Sequence, residues 1–251
     1  MYKILANTVF LGKDVRYLTE CHSTNDLAMD EIRKKSLNEG CIIITDSQTK
    51  GKGQRGSQWW SESGKNLTFS LVLKPVFLKP SQQFYLSKMV SVAIHEVLSA
   101  YSKLFFIKWP NDILHFLEGK TCGILIENVI NQNNIEYSVV GIGLNVNQTS
   151  FPFPNVSSLA IVAGTEMRLQ DVLEKIVGKI EYWYRVLKSG DYSKIDGKYK
   201  SELYQLDRWA YYDDGEVFKG RIKDTSPDGK LIMEKESGEI KSYGLKEVRF
   251  L

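Results

Sequence analysis

The segment TDSQTKGKGQRGSQWW, Thr45 to Trp60, carries three glycines, three cationic side chains and two adjacent tryptophans. It follows the β-branched run CIIIT at 41–45, whose polar borders predict a buried strand. It precedes Asn66 to Lys74, where Leu67, Phe69, Leu71 and Leu73 alternate with Thr68, Ser70 and Lys74, predicting a half-buried strand. A glycine-rich, charged loop between two sheet strands can turn successive N–H groups onto an anion, because glycine reaches conformations closed to other residues.

Working outward, Ser23-Thr24-Asn25-Asp26 before LAMDEIRKK predicts a capped helix start: a serine with an acid three residues on satisfies first-turn N–H groups. Between Pro80 and Tyr101, Leu86, Met89, Val90, Ala93, Ile94 and Val97 recur at helical spacing, with His95 on the polar side as a surface histidine. The runs LFFIKW, GILIENVI and IEYSVVGIGLNV follow, separated by the turn-prone PNDIL and NQNN, and predict sequential strands with a tight hairpin. Helical spacing returns over 168–206, with Leu173, Ile176, Ile180, Trp183 and Leu187 as one core stripe. From Asp207 to Leu251 short strands alternate with the turns DDGE, SPDGK and ESGE. The expected fold class is α+β: a mixed, mainly antiparallel sheet with packed helices over residues 1–206, then a small β module over 207–251. A module of about 45 residues is near the lower limit for independent folding and is expected to lean on the main domain.

Composition sets bounds. The 251 residues are 43% hydrophobic and 25% charged with a net charge of +3, ordinary for a globular chain with a substantial core. No helix-turn-helix pattern or long Lys/Arg block points to nucleic acid. No apolar run approaches the roughly 20 residues of a membrane helix, and no signal peptide is legible. Cys21, Cys41 and Cys122 are odd in number and widely spaced, the pattern of reduced thiols in a cytoplasmic protein.

Four segments carry the chemistry: S-T-N at 23–25, Q-T-K-G-K-G-Q-R-G-S-Q-W at 48–59, K-W-P-N-D at 108–112, and G-K-T-C-G-I-L-I-E at 119–127 with G-I-G-L-N at 141–145. Each is weak alone; GKGQRG lacks the Gly-Lys-Ser/Thr ending of a P-loop. In this order they resemble the biotin protein ligases, also called biotin–[acetyl-CoA-carboxylase] ligases, from about residue 16 to the end. The resemblance implies a class II synthetase-like catalytic fold followed by an SH3-like β barrel. It implies activation of biotin by ATP to biotinyl-5′-AMP, and transfer of biotin to a lysine of a biotin carboxyl carrier domain.

Pressing a carboxylate against an α-phosphate brings two anions together, so such a site needs cations and N–H donors. Lys108, at a strand end before Trp109-Pro110, is the first choice for this catalytic role; the resemblance implies that it touches the ligand carboxyl and the adenylate phosphate. By the same resemblance Ser23, Thr24, Asn25, Gln48, Lys52, Gly53, Gln54, Lys108, Gly123 and Gly143 bind biotin. Gly51, Lys52, Arg55, Trp59, Asn111, Lys120 and Asn145 bind nucleotide, and Asp112 is a candidate for magnesium. A flexible turn accounts for the loop glycines but not for Lys52, Arg55 and Trp59 at the spacing of these enzymes.

The chain departs from the usual loop, Gly-Arg-Gly-Arg-x-Gly-Arg/Asn. Lys52 and Gln54 stand where arginines are usual and Ser57 where the later basic residue falls. Arginine grips phosphate with a planar fork that neither lysine nor glutamine reproduces, so a looser hold on the adenylate is expected. A lipoate or octanoyl ligase and a non-catalytic biotin or adenylate sensor are the rival readings. A DNA-binding repressor is disfavoured because the chain begins almost at the catalytic domain, and a homodimer is left open.

Overall fold

The computed structural model describes residues 2–251, with the side chain of Arg55 outside the description. In chain order the elements are β1 (Val15–Cys21), α1 (Thr24–Arg33), β2 (Ile42–Gln48), β3 (Leu67–Leu73), α2 (Phe84–Leu98), β4 (Phe105–Lys108), β5 (Asp112–His115), β6 (Gly119–Asn131), β7 (Asn134–Leu144), α3 (Leu159–Ala163), α4 (Leu169–Lys188) and α5 (Tyr192–Ser201). Five strands close the chain: β8 (Ala210–Asp213), β9 (Val217–Thr225), β10 (Leu231–Lys235), β11 (Ile240–Tyr243) and β12 (Arg249–Phe250).

The large sheet runs β1-β2-β3-β7-β6-β5-β4. β1 and β2 are parallel and the other neighbours antiparallel, as the α+β reading requires. The last five strands form a separate antiparallel sheet, β11-β10-β9-β8-β12. β6 and β7 meet in the tight hairpin expected at NQNN, with Asn131 opposite Asn134 and Gln132 at φ 53°. PNDIL is not merely a turn, because Asp112–His115 is itself a strand.

The two faces of the large sheet are covered differently. Ile42, Ile44, Leu67, Phe69, Leu71 and Leu73 point into the main core with α2 and the stripe of α4. Ile43, Val72 and Val139 face Ala28 and Ile32 of α1 in a smaller cluster. β3 is therefore buried on both faces, not half-buried: Ser70 bonds to Thr24 and Asn25 of α1, and Thr68, on the same face, lines a cavity beside that helix. α1 begins where its sequence predicts: Ser23 is extended and its hydroxyl accepts the Asp26 N–H at 3.3 Å.

His95 is not on the surface. It is 3% exposed and its Nε2–H donates to the Phe105 carbonyl at 2.9 Å. α2 is enclosed by the sheet, α4 and α5, so its polar stripe of Lys88, Ser91 and His95 is buried as well. A polar stripe marks a solvent face only when nothing further packs on the helix. Burial holds the His95 pKa below the usual imidazole value, so the ring is neutral at pH 7. Among the described residues no helix is long and apolar enough to cross a membrane.

Candidate active site

Strand register builds the floor of the site. Thr68 of β3 is paired with Gly143 of β7, Gly143 with Gly123 of β6, and Gly123 with Asp112 of β5. Paired residues share a face, so these four form one row across the sheet. A second row joins Ser70, Gly141 and Leu125. α1 lies over the second row, and Asn25 is so close to Gly141 that a β-carbon there would overlap its amide.

The cavity above this floor has a volume of about 220 Å³. Its walls include Ser23, Thr24, Asn25 and Gln48 on one side and Asn111, Asp112, Lys120, Gly123, Ile124 and Leu125 on the other. Lys52, Gly53, Gln54, Ser57, Gln58 and Trp59 form the roof, and Lys246 enters from the turn between β11 and β12.

Lys120 reaches this cavity through a bulge. Asp112 pairs with Gly123 and Ile113 with Cys122, but Leu114 pairs with Lys120, leaving Thr121 as an extra residue. Three positions from Gly123, Lys120 would otherwise point to the opposite face; the bulge re-aims it. Its ammonium lies 2.7 Å from Asp112 Oδ1 as an ion pair, though outside hydrogen-bond angles, and 5.7 Å from the Trp59 ring centre. Asn111 Nδ2 donates to the Ile124 carbonyl at 2.6 Å, fixing the turn before β5 to β6.

The roof loop is itself folded. Lys52 and Gln58 are bridged, Gly53 N–H donates to Ser57 O at 2.7 Å, and Trp59 N–H donates to Gly51 O at 3.0 Å. Gly51 is packed against the Trp59 carbonyl with no room for a β-carbon. The Trp59 indole rests on Gly143 and Gly123, and its Nε1–H is buried without a partner. Those glycines, expected to admit ligand, here admit the indole. At the α1 end, Gln48 Oε1 accepts from Thr24 N–H at 2.8 Å, and Asn25 Nδ2 donates to Glu127 Oε2 at 2.7 Å.

Most expected site residues converge here, but Gly51, Lys108 and Asn145 do not line the cavity. Lys108 continues the Thr68–Asp112 row one strand further, on β4 opposite Asp112. Its backbone lies one strand, roughly 4.8 Å, beyond Asp112, and its ammonium is charge-coupled to Asp112 and Lys120 at the edge of the cavity. Its ammonium lies 5.0 Å from the Phe250 ring centre of β12, and burial lowers its pKa from the usual lysine value. The adjacent Trp109 also faces the C-terminal sheet, donating Nε1–H to the Gly229 carbonyl at 2.9 Å. Asn145 Nδ2 instead donates to the Ser157 carbonyl at 3.0 Å, and its Oδ1 is buried without a partner. The Arg55 side chain lies outside the described residues. Sequence reasoning missed Thr68, whose signal was its place in the strand alternation, and Lys246, which had none; Gly141 was marked only as the start of the G-I-G-L-N segment and was given no role.

A mixed sheet here carries a glycine-floored cavity lined by Lys52, Lys120 and Lys246 and roofed by a lysine-bearing loop, a class of site whose charge suits an anionic ligand. Residues 17–145 match the biotin/lipoate A/B protein ligase family, and the chain belongs to it. It is 30% identical over 247 residues to the bifunctional ligase/repressor BirA of Bacillus subtilis, covering 94% of this chain and 74% of that protein. Over 115 residues, 44% of this chain and 46% of that one, it is 33% identical to the biotin–[acetyl-CoA-carboxylase] ligase of Paracoccus denitrificans. The biotin protein ligase from Aquifex aeolicus, solved in complex with biotin and ATP, superposes with a TM-score of 0.78 at 26% identity, covering 95% of this chain and 100% of that one.

Proposed function

We propose that this protein joins biotin to ATP, releasing pyrophosphate, and passes the biotinyl group from biotinyl-5′-AMP to a carrier-domain lysine. The observation that carries this reading is Lys120, brought by a bulge over a glycine floor inside a cavity with amide and hydroxyl groups at its other end. In the first step a biotin carboxylate oxygen attacks the α-phosphorus and the bond to the pyrophosphate breaks. Lys120, rather than Lys108, then offsets the charge shared by the carboxylate and the phosphate. In the second step the lysine amine attacks the acyl carbon, AMP leaves with the bonding pair, and the amine loses a proton.

Thr24, Asn25 and Gln48 supply the few polar groups a neutral ureido head needs in an otherwise apolar slot. Asn111 and Lys246 are assigned to the nucleotide side. Residues 1–206 are the catalytic unit in this reading and 207–251 a module tied to it through Trp109. Among the described residues Asp112 is the cavity's one carboxylate, and no group of three or more His, Cys, Asp or Glu residues suited to a metal occurs. That donor set fits a magnesium ion arriving on the nucleotide phosphates, held by Asp112, where it would offset phosphate charge.

A thermal-shift series with ATP plus biotin, and ATP plus lipoate, tests the reading. Stabilisation by biotin is expected; stabilisation by lipoate alone would move the chain to the lipoate ligases of the same family. Binding without pyrophosphate release would make it a sensor.

A further inference from the structure

Lys52 Nζ lies 2.6 Å from Asp26 Oδ1. The pair stands on the partition between two hollows: Lys52 lines the ligand cavity, Asp26 lines a neighbouring one, and Ser23 lines both. The roof loop is a closed unit, with its Gly53–Ser57 and Lys52–Gln58 contacts internal. Trp59 ties one side of it to the sheet, and Lys52 ties the other to α1. Asp26 is a firm anchor, since its N–H is held by Ser23 Oγ in the first helical turn, where the helix dipole favours an acid. The bond to Asp26, with Glu127 contributing at longer range, raises the Lys52 pKa, keeping the ammonium charged.

We propose that Asp26 is a positioning residue for the roof: its pair with Lys52 latches the loop to α1 and so sets how long the activated acyl group is retained before transfer. This rests on the adenylate-forming reading above. With neutral Gln54 at the loop tip, the Lys52–Asp26 pair adds a contact within the protein that holds the roof. Both partners are about half exposed, so the latch is modest and sensitive to salt.

The test uses the full chain as wild type, Asp26→Asn and Asp26→Glu. Three quantities are followed: biotin-dependent pyrophosphate release, partition of activated biotin between a purified carrier domain and a bystander amine, and tryptic cleavage after Arg55 in ligand-free protein. The expected result is unchanged pyrophosphate release, with leakage to the bystander and loop cleavage each rising about two- to five-fold in Asp26→Asn. Asp26→Glu should restore both. Added salt should raise wild-type leakage toward the Asn level while moving the Asn variant little. Unchanged or reduced leakage and cleavage in Asp26→Asn would overturn the latch, as would a lower melting temperature with both readouts unmoved, the mark of a lost helix-capping charge. Absence of pyrophosphate release from wild type would strike the adenylation reading instead, and the cleavage comparison would still decide the latch.

Discussion

Trp59 rests on Gly143 so closely that no β-carbon fits between the indole and the strand. Gly143→Ala must therefore displace the indole. The expected outcome is a red-shifted tryptophan emission, absent when the same substitution is made in a Trp59→Phe background. Biotin-dependent pyrophosphate release should fall together with it. Gly123→Ala should act in the same direction but more weakly, since the nearest indole carbon would be at 3.0 Å and could give way. Equal, unshifted emission from all variants would remove Trp59 from this floor.

Lys120 and Lys108 stand in the same neighbourhood, but Lys120 lines the cavity and Lys108 lies at its edge, one strand beyond Asp112. Removing an electrostatic stabiliser from a reacting centre typically costs about 10²–10³ in rate. Lys120→Met should lose that much in the adenylation step. Lys108→Met, which breaks a contact with Phe250, should lose less than about tenfold and show its effect mainly in thermal stability. Single-turnover formation of biotinyl-5′-AMP separates the two, and the reverse order of severity would restore Lys108 to the reacting centre.

The contrast between these lysines shows where sequence reading reaches its limit. Local signals located the capped start of α1, the β6–β7 hairpin and the core stripe of α4, because cap chemistry, turn residues and periodicity act within a few residues. The alternation of β3 was legible, but not that α1 would cover its second face. Lys108 looked well placed at a strand end, yet its distance from the cavity depends on how many strands lie between it and Gly143. Lys120 would be on the wrong face by parity, and only the bulge at Thr121, a property of pairing with β5, reverses that. The same holds for Lys246, which comes from the turn between β11 and β12 and joins the cavity purely through tertiary packing.

Gln54 lines the cavity where an arginine is usual among the enzymes this chain resembles. Gln54→Arg adds a two-pronged cation at the loop tip and should lower leakage of activated biotin onto free amines without slowing transfer to a carrier domain. Mass spectrometry of a bystander protein, mixed with enzyme, biotin and ATP, reads the difference. Equal labelling by wild type and variant would show that Gln54 does not loosen retention.

His95 links stability to pH. Its folded pKa lies below the ordinary value of 6.5, so between the two values the unfolded chain binds more protons. Its contribution is complete above about pH 6.5 and is lost as pH falls toward the lowered folded value. His115 is shifted the same way by burial and adds to the slope. His95→Gln should lower stability at pH 7 and flatten this part of the profile, measured by urea unfolding between pH 5 and pH 8 at roughly half-unit steps. An unchanged slope would mean that the ring titrates normally in the folded state.

In the proposed function the cavity over Gly123 and Gly143 activates biotin for transfer to protein. Its most direct test is incorporation of labelled biotin into a purified biotin carboxyl carrier domain, with ATP and magnesium, by wild type and by Lys120→Met. The expected result is one ATP-dependent label per carrier domain with wild type, on a single lysine, and near-total loss with Lys120→Met. Wild-type protein that binds biotin but leaves the carrier unlabelled, or a Lys120→Met variant that labels it at full rate, would contradict it.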